Sequence, residues 1–413
     1  MSVRTRGVVV GRENRFMAAP FDYFSPQRIV FGWGRRTEVG SLAKTLGRRA
    51  LLVGGSRTLE RSGAIAELTA TLTTAGIEVV PLGVISHEPL TADVDEAATK
   101  AKQAGAGEGD FLLAIGGGSA IDLAKAVAAM AVQPHDAATG SPLRVVDYLE
   151  GVGRGYKLIS SPLPILAMPT TGGTGTEATK NAVISSYEPA FKKSLRDERL
   201  VPRVVLVDPE LSVGLSPETT AWTGMDAITQ LIEAFITKNS RPIPQALCLE
   251  GLRLALPAVE TAVRDGANRA AREAMAQAAL FSGMALANSG LGLAHGVAAA
   301  LGVHCRVAHG LACAVMLPAA LEANREGSQA DLARLARYAL DLNEPDDRVA
   351  AQALIDRVGA LCCKLKVPPT LGELGVTREQ LPALVAGSQG NSLNGNPRPI
   401  SVDELGTILE RML

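Results

Sequence analysis

From residue 50 to residue 207 one pattern recurs: a short aliphatic run halted by glycine or proline, then a longer stretch with helical spacing. The runs are Ala50-Leu51-Leu52-Val53 before Gly54-Gly55, Ile77-Glu78-Val79-Val80 before Pro81, Phe111-Leu112-Leu113-Ala114-Ile115 before Gly116, Pro164 to Met168, and Val204 to Val207. Strands alternating with helices in this way build βαβ units around a parallel sheet. An α/β domain is therefore predicted over residues 21–208, with its ligand beyond the carboxyl ends of the strands. After Asp208-Pro209 the strand signals stop, and residues 209–413 read as a second, all-helical domain. A chain of 413 residues has room for two such cores.

Several helices declare themselves. Ser216-Pro217-Glu218 combines a capping hydroxyl, a proline at the first turn and a carboxylate at the positive dipole end, which starts a helix running to about Thr237. Residues 266–302, rich in Ala, Met and Leu, read as close-packed buried helices, and residues 329–341 and 348–365 as amphipathic ones. Residues 388–399 are rich in Asn, Gly and Pro and are predicted to be an exposed loop before a short terminal helix. Residues 1–20 carry Arg4, Arg6, Arg12 and Arg15 around a lone Val8-Val9-Val10 run, too short for a signal peptide. They read as an extension, with Met17 as an alternative start.

The charge balance excludes some partners. With 41 basic against 42 acidic residues, the formal net charge of −1 offers no field for nucleic acid or an anionic membrane. No apolar stretch is long enough to cross a bilayer. The five cysteines, Cys248, Cys305, Cys313, Cys362 and Cys363, are an odd number and include a vicinal pair, so a reducing, cytoplasmic setting is expected rather than a disulfide framework.

Gly116-Gly117-Gly118-Ser119-Ala120-Ile121-Asp122 follows a strand and opens a helix. Glycines there let the backbone approach a pyrophosphate, whose charge the free N–H groups of the helix N-terminus stabilise. Ser119 and Asp122 look like a capping pair for that helix. A plain strand-to-helix turn would need only one glycine at positive φ. Neither G-x-G-x-x-G after the first strand nor G-x-x-x-x-G-K-[ST] is present, which disfavours kinases and ATPases. A second cluster after a strand, Pro169-Thr170-Thr171-Gly172-Gly173-Thr174-Gly175-Thr176-Glu177, is either another wall for a dinucleotide or an ordinary Thr/Gly loop.

Asp226 and Gln230 stand at i and i+4 on one helix face, a spacing that suits two ligands of one ion. On spacing alone, a solvated stripe with Thr219, Thr223 and Glu233 is the preferred reading. Three of the five histidines, His295, His304 and His309, crowd a small, apolar stretch where imidazole has little reason to be.

Over about residues 21–413 the chain resembles the iron-containing (group III) alcohol dehydrogenases. The resemblance lies in "DFLLAIGGGSAIDLAK", "PTTGGTGTEAT", "GMDAITQLIEAF" and "GLAHGVAAALGVHCRVAHG". It implies a Rossmann-like α/β domain and an all-α domain, the fold shared with dehydroquinate synthase, with the active site in the cleft between them, in a homodimer. By that likeness the cofactor contacts are Gly55, Ser56, Arg57, Gly116, Gly117, Gly118, Ser119, Asp122, Thr170, Thr171 and Thr174, with Lys192 reaching a ribose. Asp226, His295 and His309 become ligands of a divalent metal, Fe²⁺ first and Zn²⁺ second.

Three departures from the family pattern bear on the chemistry. Gln230 stands where a fourth ligand is usually histidine, and its neutral amide oxygen binds Fe²⁺ or Zn²⁺ more weakly than imidazole does. Ala299 replaces a histidine four residues after His295, which moves the expected proton relay to His304, beside a catalytic His309. Gly54-Gly55-Ser56-Arg57 lacks the acid that holds an NAD ribose, which favours NADP(H), with NAD(H) as the alternative. The expected reaction is hydride transfer between nicotinamide and a small alcohol or aldehyde. The rivals are a metal-independent oxo-acid reductase like the maleylacetate reductases, a dehydroquinate synthase-like lyase, and a weakened homologue kept for assembly.

Overall fold

A computed structural model describes residues 20–135, 140 and 142–413 of the chain. The extension expected over residues 1–20, with the alternative start at Met17, thus falls almost wholly outside the described residues. The strands are β1 (Arg28–Phe31), β2 (Arg49–Gly55), β3 (Glu78–Ile85), β4 (Asp110–Gly116), β5 (Ile165–Pro169), β6 (Asn181–Tyr187), β7 (Ala190–Arg196) and β8 (Val204–Val207). All but β6 and β7 form one parallel sheet in the order β1-β8-β5-β4-β2-β3. Its helices are α1 (Val39–Ala43), α2 (Arg57–Arg61), α3 (Ala64–Thr74), α4 (Thr91–Gln103) and α5 (Gly118–Met130). Ala50, Leu52, Phe111 and Leu113 point into one core, and Leu51, Val53, Leu112 and Ala114 into the other. Burial on both faces is why these strands read as unbroken aliphatic runs.

Two features of this sheet differ from the sequence reading. The strand expected to stop at Pro81 continues to Ile85, through a register shift opposite Leu52 and Val53. It lies at the sheet edge, where the missing proline N–H costs no ladder bond. The antiparallel pair β6 and β7 was not expected, because its strands mix polar and apolar residues. The short edge strand β1 was missed as well.

The second part is helical throughout: α6 (Pro217–Ile236), α7 (Pro242–Arg264), α8 (Arg269–Ser289), α9 (Leu293–Cys305), α10 (His309–Asn324), α11 (Gln329–Ala339), α12 (Asp347–Lys364), α13 (Leu381–Gly387), α14 (Asn391–Asn394) and α15 (Val402–Glu410). The start of α6 is as read, with the Ser216 hydroxyl accepting from the Thr219 N–H at 3.1 Å. The segment at 388–399 is not the exposed loop expected. Ser388, Leu393 and Asn396 are buried, and the Asn324 and Asn396 amides exchange hydrogen bonds of 2.9 and 2.7 Å. Paired in this way, polar side chains that look like loop composition sit in the interior. Among the described residues no single helix is long and apolar enough to cross a membrane, and the pair α8 and α9, apolar together, is bent by 101°.

The two parts meet through backbone. The loop after β5 carries Gly175 at φ 60°, and a Cβ added at Gly283 of α8 would stand 1.9 Å from the Gly175 carbonyl oxygen. A Cβ at Gly173 would come within 2.6 Å of Thr223 on α6. Gly359 of α12, by contrast, has open space around it. Replacing Gly283 by Ala is therefore expected to lower unfolding free energy by about 1–3 kcal/mol through overpacking. Gly359→Ala should raise it by about 1 kcal/mol through helix propensity. Urea unfolding of the two variants gives the opposite signs directly.

Candidate active site

Strands β2 and β4 are neighbours, and each ends in a glycine that faces the other: a Cβ at Gly55 would lie 2.8 Å from the Gly116 Cα. From β2 the sheet extends through β3 to one edge, and from β4 through β5 toward the other. That reversal of strand order opens a crevice at the carboxyl ends. Gly116 turns the chain at φ 156°, and Gly117 caps α5 in extended backbone. The N–H groups of Gly118 and Ser119, the first two of α5, have no intrahelical acceptor and suit an anion, whereas that of Ala120 already donates to the Gly117 carbonyl at 3.1 Å.

The capping pair expected of Ser119 and Asp122 does not form, because α5 begins at Gly118 with Gly117 as its cap. Asp122, a full turn inside, instead accepts a 2.5 Å hydrogen bond from the Thr176 hydroxyl. Burial raises its pKa, against the neighbouring Lys125. Lys125 ties the two loops together, a role the sequence reading missed. Its fully buried ammonium donates to the Thr176 carbonyl, to the Thr176 and Thr179 hydroxyls at 3.1 and 2.8 Å, and to the Asn181 carbonyl at 2.9 Å. Burial brings its pKa down to about 8. A cation three residues after Asp122, inside a helix, "AIDLAKAVAAM", that is apolar apart from these two, was the available signal.

The cleft has a volume of about 1440 Å³. Gly55, Ser56, Gly117, Gly118, Ser119, Asp122, Thr170, Thr171, Thr174, Lys192, Asp226, Gln230, His295 and His309 all line it. Gly116 lies beneath, as the turn itself. Arg57 opens α2, but its side chain is outside the described residues. The glycines of the threonine loop answer to packing as well as to ligand, since Gly172, Gly173 and Gly175 are pressed by Met275, Thr223 and Gly283. Lys192 pairs with Glu88 at 2.7 Å. Burial opposes charge on Glu88, yet Lys192 and His309 hold its pKa below the usual range.

In the helical wall, Asp226, His295, His309 and Cys313 offer ligand atoms that all lie within 4.8 Å of one another. Asp226 Oδ1 is 3.2 Å from His295 Nε2 and 4.0 Å from His309 Nε2, which in turn is 3.7 Å from Cys313 Sγ. Gln230 reaches the cleft, but its amide oxygen accepts the Ser282 hydroxyl at 2.7 Å. Glu233, set aside earlier as part of a polar stripe, holds the other face of His295, with Oε2 2.7 Å from Nδ1. Its second oxygen accepts from the Ala294 N–H at 2.7 Å, at the start of α9. Carboxylates so placed orient metal-binding imidazoles.

The charges in this wall are divided: burial opposes a proton on His295, yet Cys313, Asp226 and Glu233 around it hold its pKa well above the usual value. Burial opposes the charge of Asp226, but the hydrogen bond to His295 and the nearness of His309 bring its pKa below normal. Burial, with Lys192 nearby, takes His309 down to about 4, so its ring is neutral and free to donate a lone pair. His309 Nδ1 has no hydrogen-bond partner among the described residues. His304 is elsewhere: it follows His295 by nine residues, half a turn round the helix, and its ring packs on Gly387. It does not line the cleft. The relay expected there is not assembled, because the helical period carries the ring away from the site.

Residues 26–209 match the family model for iron-containing alcohol dehydrogenase, and residues 220–413 match the carboxyl-terminal model of the same family. The chain belongs to the iron-containing alcohol dehydrogenase family. It is 32% identical over 381 residues to the probable alcohol dehydrogenase EutG of Escherichia coli (strain K12), covering 92% of this chain and 91% of that one. The lactaldehyde reductase of the same organism is also 32% identical, with coverage of 90% and 95%. Among solved structures, an archaeal halo-thermophilic Red Sea brine pool alcohol dehydrogenase superposes with a TM-score of 0.88 at 29% identity, covering 96% of this chain and all of that one. A 1,3-propanediol oxidoreductase gives 0.86 at 29% identity, with the same coverage. This iron-containing alcohol dehydrogenase homologue is thus an oxidoreductase acting on CH–OH groups with a nicotinamide cofactor. The residues present fit both groups the family implies, a dinucleotide over the glycine loops and a divalent ion at the Asp–His cluster. Glu233→Gln is expected to weaken divalent metal affinity by roughly 10- to 100-fold, read by competition with a chromogenic chelator.

Proposed function

We propose that the protein catalyses reversible hydride transfer between NADP(H) and a small alcohol or aldehyde, with a divalent metal held by Asp226, His295 and His309. One observation carries this reading: the glycine-rich start of α5 and the Asp–His cluster line the same cleft. When bound, the nicotinamide exchanges the hydride and the ion draws charge from the alcohol or carbonyl oxygen.

The protein's own part is placement. Gly117, Gly118 and Ser119 offer N–H groups to the pyrophosphate, and Thr170, Thr171 and Thr174 close over it with hydroxyls. Lys192, fixed by Glu88, is the cation we place against the ribose. Glu233 keeps His295 turned toward Asp226. Ala299, where the family usually has histidine, leaves the cleft wall small and apolar, which supports an uncharged substrate. Ser56 stands at φ 58° just past the end of β2, in a Gly54-Gly55-Ser56-Arg57 segment that itself carries no acid to repel a 2′-phosphate. The same reading gives a homodimer, and the free cysteines, with Cys248, Cys313 and Cys362 buried, support a reducing cytoplasm.

Purified protein is expected to oxidise NADPH with short aldehydes, to lose that turnover on chelation and to regain it with added metal. Turnover that survives complete metal removal would transfer the chain to the metal-independent reductases. Ser56→Asp is expected to move the kcat/KM ratio toward NADH by roughly tenfold or more, as a carboxylate repels the 2′-phosphate and accepts from a free 2′-hydroxyl.

A further inference from the structure

We propose that Cys313 is the fourth protein ligand of the metal, as a thiolate, in place of Gln230, and that the site is thereby made for Zn²⁺ rather than Fe²⁺. This rests on the reading of Asp226, His295 and His309 as a metal site. The spacing argues for it first. Bonds of about 2.0–2.1 Å to nitrogen or oxygen and about 2.3 Å to sulfur give tetrahedral edges of roughly 3.3 Å between N/O atoms and roughly 3.6 Å from sulfur. The observed edges are 3.2 Å from Asp226 to His295 and 3.7 Å from Cys313 to His309. Two of these edges stand near coordination distance before any ion arrives, the edge from Asp226 to His309 is 4.0 Å, and all four atoms lie within 4.8 Å of one another.

The surroundings argue the same way. Cys313 is fully buried at the edge of the helical core, and its sulfur also lies 3.7 Å from the His309 Nε2 and within 4.8 Å of the Asp226 and His295 ligand atoms, polar company that a thiol kept only for packing has no need of. It does not line the cleft, whereas Asp226, His295 and His309 do. The thiolate would close the site from the protein side and leave the cleft side to substrate. Gln230, the residue at the usual ligand position, has its amide oxygen engaged by Ser282 and brings no charge. Asp226 and a Cys313 thiolate together balance a dication. On loading, the S–H bond breaks, the sulfur–metal bond forms, and one proton passes to the buffer. Soft thiolate selects zinc over ferrous iron.

Cobalt substitution of the intact protein tests the ligand without reference to turnover. A near-ultraviolet thiolate-to-cobalt charge-transfer band is expected in the wild type and in Gln230→Ala, and its absence in Cys313→Ser. Zinc affinity should fall in Cys313→Ser by more than the roughly 10- to 100-fold that losing a ligand's hydrogen-bond partner costs, and far less in Gln230→Ala. X-ray absorption of the zinc-loaded wild type should show one sulfur neighbour at about 2.3 Å, a result that needs no variant to fold. Bound metal with only nitrogen and oxygen neighbours, and affinity lost through Gln230→Ala, would overturn the assignment of Cys313 while leaving the metal-site reading intact. A wild-type protein that retains neither cobalt nor zinc would overturn both.

Discussion

The architecture depends on one close approach between backbones. The loop that leaves β5 presses its glycines against α6 and α8 so tightly that side chains at Gly173, Gly175 or Gly283 would occupy the same space as their neighbours. Because this loop also carries Thr170, Thr171 and Thr174 over the start of α5, the helical part is registered against the glycines that follow β4 by the same few residues. Lys125 fixes the loop from the other side, spending its full set of donors on the threonine segment and the start of β6. A buried ammonium with that many oxygen partners is tolerated where an unpaired one would not be.

The wall that carries the Asp–His cluster shows the same economy of means. A single carboxylate, Glu233, satisfies an N–H at the start of α9 and orients the ring of His295. Asp226 and Glu233 are two helical turns apart on α6, so one face of one helix carries both a member of the Asp–His cluster and the carboxylate that holds His295 within it. The histidines come from the first turns of α9 and α10, which puts them at helix ends packed against α6.

Most of this was legible in the residues, for identifiable reasons. The aliphatic runs of the sheet were found because both faces are buried, and the start of α6 because its cap is local. Likewise, Asp226, His295 and His309 stand in short motifs with specific spacing. What escaped notice was whatever pairs across long separations. Glu233 looked like surface until His295 was brought to it, and the asparagines near the carboxyl terminus looked like loop until Asn324 met Asn396. The supposed cap at Asp122 and the supposed relay at His304 failed for the complementary reason: proximity in sequence does not fix where a helix points a side chain.

By itself, then, the sequence determined the order of strands and helices, the glycine turns, the family and the residue types available for chemistry, because these follow from local periodicity and from motifs that are contiguous in the chain. Tertiary structure alone decided which of those residues share a site. It placed Cys313 among the ligand atoms, turned Gln230 to Ser282, carried His304 away from the cleft and buried Lys125 as a tie between loops. Each of those outcomes depends on the angle at which one helix or loop packs on another, and that angle is set by contacts between residues tens to hundreds of positions apart.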